Sequence, residues 1–94
     1  MLIQSVRFTF ATEDSERAEG MLRELLAASR AEAGVVEFNV ARSVEHQHVF
    51  ALWEVYRDKV AFDSHRATEH YQRLVMNGVR PLAKERMGEL YSPI

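Results

Sequence analysis

The chain has no cysteine. Disulfides and thiolate metal sites are therefore excluded, and redox chemistry gives no reading of compartment. No apolar run approaches the ~18 residues of a membrane-spanning helix. The first residues, Met1 to Ser5, lack the charged and long apolar regions of a secretory leader. Basic charge is not in excess either: 12 Lys and Arg against 14 Asp and Glu give a net charge of −2. It is spread along the chain, with no stripe for nucleic acid. Also missing are a glycine-rich phosphate loop, a His-Glu-x-x-His pair and a Gly-x-Ser-x-Gly elbow, so nothing specifies a nucleotide, flavin or metal. These absences predict a soluble, cytoplasmic protein without cofactor, membrane or nucleic-acid partner. A length of 94 residues predicts a single domain over residues 1–94.

What is present is organised around the stretch from Gly34 to Tyr71. Two β-rich runs, Val35 to Arg42 and Val49 to Tyr56, are joined by the polar loop Ser43 to His48, as in a hairpin. Before them, alternation predicts a strand from Leu2 to Phe10. Ala18, Met21, Leu22, Leu25, Leu26 and Ser29 then recur at helical spacing. That helix is expected to end near Ala33-Gly34, with Gly34 in the left-handed position. Asp58 can cap a short helix to Arg66, and Thr68 the next one. The latter should break or bend near Asn77-Gly78 and Pro81. Arg86 to Tyr91 reads as the last strand. The order βαββααβ predicts an α+β, ferredoxin-like sandwich with a four-stranded antiparallel sheet and helices on one face.

Strand parity divides the sheet into two faces. The even positions Phe8, Phe10, Val36, Phe38, Val40, Phe50 and Leu52, with Met87 of the last strand, are expected under the helices. The other face takes the odd positions Asn39, Ala51, Trp53 and Val55, with Leu90 of the last strand. They are too apolar for water, and the chain has no second helical layer to cover them. An uncovered patch of that kind points to a homodimer, with Trp53 as its anchor.

Three residues are candidates for chemistry. Glu54 falls on the helix-covered face, Tyr56 points the same way, and His65 follows on the next helix beside Phe62. A carboxylate and an imidazole near an apolar pocket can act as general acid and base. Equally, Glu54 can pair with an arginine or cap a helix, and His65 can pack with its nitrogens satisfied. His70 can join the pocket or face solvent, with solvent favoured. His46 and His48 read as solvated loop histidines, since no third ligand lies near them in sequence.

The ordered set Gly34-x-x-x-Phe38, Phe50-x-Leu52-x-Glu54-x-Tyr56-x-Asp58 and Phe62-x-x-His65-x-x-Thr68-x-His70-Tyr71 resembles the antibiotic biosynthesis monooxygenase (ABM) domain family over nearly the whole chain. It looks most like the small quinol monooxygenases and the autoinducer-processing branch. The resemblance implies a dimeric α/β barrel, with a pocket between sheet and helices in each subunit. It implies a cofactor-independent monooxygenase of a small quinol-like or enolisable aromatic. His65, Glu54 and Tyr56 would be catalytic, and Phe38, Leu52, Phe62, His70 and Tyr71 would contact substrate. Glu54 would set the tautomer or charge of His65, and Tyr56 would hydrogen-bond a substrate oxygen. The pattern departs from the haem-degrading members, with Val75 and His65 where they carry a histidine ligand and a tryptophan, and no asparagine between Leu2 and Phe10. Asn39 and Trp53 match an anthrone-oxygenase pair in type, but parity sends both to the dimer face. Two alternatives stand beside the oxygenase: an isomerase or lyase on a small carbonyl compound, and a non-enzymatic dimeric module that binds a small ligand.

Overall fold

Four strands carry the molecule: β1 (Leu2–Thr9), β2 (Val35–Arg42), β3 (Val49–Tyr56) and β4 (Glu85–Tyr91). They form one antiparallel sheet in the order β2-β3-β1-β4. The computed structural model describes residues 1–94. Helix α1 (Ser15–Arg30) connects β1 to β2. Helix α2 (Lys59–Arg66) and helix α3 (residues 69–82) connect β3 to β4. The fold is the expected ferredoxin-like α+β sandwich. No helix is long and apolar enough to cross a membrane.

The core lies between the sheet and the helices. Phe8, Phe38, Phe50 and Leu52 of the strands, and Phe10 just beyond β1, pack with Ala18, Leu22 and Leu25 of α1 and Leu74, Val75 and Val79 of α3. Burying each phenylalanine stabilises the fold by roughly 2–3 kcal/mol. The outer face of the sheet has no such cover: Trp53, Met87 and Tyr91 are 44, 60 and 43% exposed there, and Trp53 stacks on Tyr91.

Several local expectations are corrected. The backbone contains no positive φ, at Gly34 or elsewhere. Gly34 is small for another reason: a Cβ there would collide with the Ala61 side chain of α2. In β2 the register against β3 shifts between Val35 and Glu37, a bulge that leaves two residues opposite one. Val35 consequently packs on the core while Val36, expected inside, is exposed. In β4 the two faces are the reverse of the expectation, which put Met87 inside and Leu90 outside. Arg86 lies opposite Phe8 and Gly88 opposite Val6, so even positions face inward, whereas Met87 lies opposite Arg7 on the outer face. Leu90, expected outside, lies opposite Gln4 on the inner side. Helix α3 does not break at Asn77-Gly78. Between Gln72 and Val79 it widens to π geometry, with the Arg80 N–H bonded to the Val75 carbonyl five residues back.

Candidate active site

His65 is positioned from both ends of its helix. Asp58 starts α2 by accepting a hydrogen bond from the Ala61 N–H at 2.8 Å, which satisfies a free N-terminal donor. At the other end the Thr68 hydroxyl donates to the His65 carbonyl at 2.7 Å and accepts from the Tyr71 N–H at 3.2 Å. The ring is 2% exposed and packs among Phe38, Tyr56 and Tyr71. Its Nδ1 lies 2.8 Å from Oε2 of Glu32. The same oxygen lies 2.7 Å from Nε2 of His70. A carboxylate only accepts, so His65 donates through Nδ1–H and its lone pair sits on Nε2. Burial pushes the His65 imidazole below its ordinary pKa, against the pull of the Glu32 hydrogen bond. The ring is therefore held neutral, in one tautomer.

Glu54 is 4% exposed and accepts a short hydrogen bond from the Tyr56 hydroxyl. Burial pushes its carboxyl up to about 7, against the opposing pulls of Tyr56 and the Arg86 charge. Burial first, then the Glu54 charge, drives the Tyr56 phenol far above its ordinary range, so Tyr56 remains a donor. Glu54 and His65 both line a narrow cavity between sheet and helices, with Phe38, Leu52, Tyr71 and Arg86 among its other walls. The space open to the centre of a water there is about 20 Å³, enough for a single water. Its half-exposed walls, Gln4, Tyr71 and Arg86, form the mouth. The Arg86 guanidinium lies across Gly88, where a Cβ would meet it at 2.7 Å, and its buried Nε has no partner in the chain. A wider groove between α1 and the β2–β3 hairpin is bordered by Arg42, which is bonded to Glu16 and Glu19. It offers no acid–base pair.

The expected site is thus partly assembled. His65, Glu54, Phe38, Leu52 and Tyr71 converge on one cavity. Tyr56 is wholly buried and its hydroxyl is committed to Glu54, and Phe62 packs edge-on against Tyr56. Neither lines the cavity. His70 is turned to Glu32 rather than to solvent. The tautomer of His65 is set by Glu32, the role expected of Glu54. Glu32 and Arg86 were absent from the expected set. Glu32 lies 33 residues before His65, in a turn after α1 where nothing in the local pattern marks it. Arg86 was hidden by the reversed faces of β4. Asn39 and Trp53 face outward opposite one another. Val55 is on that face too, but only 6% exposed in the single chain.

The family model described as antibiotic biosynthesis monooxygenase matches residues 1–76. Among solved structures, one described as an antibiotic biosynthesis monooxygenase has a TM-score of 0.92 at 23% identity, covering 100% of this chain and 99% of that one. Protein PA3566 from Pseudomonas aeruginosa has a TM-score of 0.91 at 30% identity, over 99% of this chain and 93% of that one. Rv0793 from Mycobacterium tuberculosis has a TM-score of 0.91 at 22% identity, over 99% and 94%. No curated protein matches the chain in sequence.

Proposed function

The chain belongs to the antibiotic biosynthesis monooxygenase family, and from that premise we propose that it is a cofactor-independent monooxygenase of a small quinol-like or enolisable aromatic substrate. The observation that carries the reading is His65. Its Nδ1 proton is held by Glu32, so Nε2 is the ring nitrogen left for a ligand in the cavity. The cavity has to widen at its mouth to admit an aromatic ring; there Nε2 removes a proton from the substrate and leaves an electron-rich enolate or carbanion that reacts directly with dioxygen. For a ring CH₂ the balance is one oxygen atom in the new carbonyl and the other released as water. Arg86, with an unpartnered buried Nε at the mouth, places positive charge where the substrate oxygen becomes negative. Glu54 lines the cavity with Tyr56 bonded behind it, and a protonated Glu54 can return a proton.

Oxygen uptake with a panel of quinols and anthrone-like phenols tests the reading. His65→Ala is expected to lower turnover at least ~100-fold in protein that still melts cooperatively. A folded variant within ~3-fold of wild type, well under the usual general-base contribution, would remove His65 from the mechanism. The narrowness of the cavity supports a second reading, an isomerase or lyase on a small carbonyl compound, through the same proton transfer without oxygen. Turnover that persists under anaerobic conditions would select it.

A further inference from the structure

We propose that Glu32, His65 and His70 form a binding site for one divalent first-row transition-metal ion, held by one carboxylate oxygen, His65 Nδ1 and His70 Nε2. These atoms lie within 4.8 Å of one another, and they are the one such group of three in the chain. A single carboxylate oxygen stands between two imidazole nitrogens at 2.8 and 2.7 Å. Around an ion with bonds of ~2.0–2.2 Å, neighbouring ligand atoms stand ~3–3.5 Å apart. The two contacts therefore need to open by less than ~1 Å, within reach of side-chain torsions. Two imidazoles with one carboxylate, and no thiolate, suit zinc, iron, nickel or copper rather than magnesium or calcium.

Each ligand comes from a fixed piece of backbone. Glu32 sits in the turn after α1, its N–H bonded to the Ser29 carbonyl and its carbonyl to the Val35 N–H. His65 ends α2 and His70 begins α3, with Thr68 tying the two helices together. The burial is graded: the His65 side chain is 2% exposed, and those of Glu32 and His70 are 17 and 19%. An ion can enter from solvent and keep water in its remaining positions, as sites with three protein ligands do. His70 Nδ1 has no partner in the chain to orient the ring, and such partners strengthen metal binding. The expected affinity is accordingly below that of a site whose rings are all held by outer partners.

Metal and proton compete for the same nitrogen. With an ion on His65 Nδ1, the neutral ring carries its proton on Nε2, the atom assigned above as the base. The ion thereby switches the base off. This last step rests on the proposed function; the binding site does not.

Titration calorimetry of the chelator-treated chain with Zn²⁺ tests the site. One ion per chain is expected, with a proton displaced. His70→Ala and Glu32→Gln should each weaken binding by more than ~10-fold. A double alanine variant at His46 and His48, whose rings lie 6.1 Å apart on an exposed loop, should bind as wild type. Because a variant can lose structure, ¹⁵N-imidazole spectra of the wild type provide a second measure, with zinc moving the His65 Nδ1 and His70 Nε2 resonances. Absence of saturable binding, unchanged affinity in both site variants, or loss of binding in the loop variant overturns the site. If turnover is found and saturating Zn²⁺ leaves it intact, the coupling to the base is overturned while the site stands. If no substrate is turned over, the binding result is unaffected.

Discussion

Glu54 ties the chemistry of the cavity to the stability of the fold. Burial raises its folded pKa to about 7, from an ordinary 4.5. The folded state therefore holds this proton more tightly than the unfolded chain. The resulting stabilisation is fully present below about pH 4.5 and is lost as pH rises through about 7. It amounts to about 3 kcal/mol. Tyr56, Arg86 and Glu32 act on the carboxyl, and His65 and Tyr71 share its cavity. His65, whose folded pKa is lowered, contributes with the opposite sign in acid. Comparison with Glu54→Gln removes that background, because Gln keeps the shape and an acceptor for Tyr56. Urea midpoints are expected to show wild type losing stability relative to Glu54→Gln between about pH 4.5 and 8. A parallel course for the two proteins would mean that Glu54 is ionised in the fold throughout. The burial of Glu54 was legible in the sequence, since β3 alternation alone sends it inward. Its partnership was not: Tyr56 shares its parity, but nothing in parity says that the two side chains bond each other. Glu32 was illegible for a different reason. It touches His65 and His70 only after a chain reversal through the whole hairpin, and no periodicity spans that distance.

At the scale of elements, the β2 and β3 boundaries followed from the pattern of β-branched and aromatic residues. The cap positions at Asp58 and Thr68 followed from side-chain chemistry. What failed were features that depend on pairing. The bulge at Val36 and the inward turn of Arg86 are fixed by register against a neighbouring strand, which parity within one strand cannot supply. The same holds for Gly34: the sequence marks a helix stop, but its smallness answers to Ala61, across space. Gly34→Ala is therefore expected to destabilise the protein by roughly 1–3 kcal/mol, the usual range for overpacking. It should also displace α2 and with it His65. Adding Ala61→Gly removes the colliding methyl and should restore part of the loss, giving a coupling of at least ~0.5 kcal/mol in a double-mutant cycle by urea unfolding. Additive effects would show that the two positions do not press on each other.

At the scale of the molecule, helices cover one face of a two-faced sheet. The chain order βαββααβ made the layering and the antiparallel sheet readable. The other face exposes a stacked Trp53–Tyr91 pair and Met87. We propose that this face pairs with its copy in a homodimer centred on Trp53, with Asn39 beside it. Val55, already covered within one chain, would add little area. The support is physical: exposed apolar surface of this kind marks an interaction site, and a two-fold axis through the face buries the patch against itself. Sedimentation at micromolar concentration should give about twice the chain mass of 10.9 kDa. A monomer there would sink the proposal. Trp53→Asp should dissociate the pair, because each copy would bury an unpaired charge against a partner carrying the same one. The variant should still fold, since Trp53 is 44% exposed in the single chain and its loss opens no cavity under the helices. A monomeric variant with an unaltered His65 environment by NMR would show that the dimer covers the sheet without completing the cavity. A variant that stays dimeric would move the contact away from Trp53.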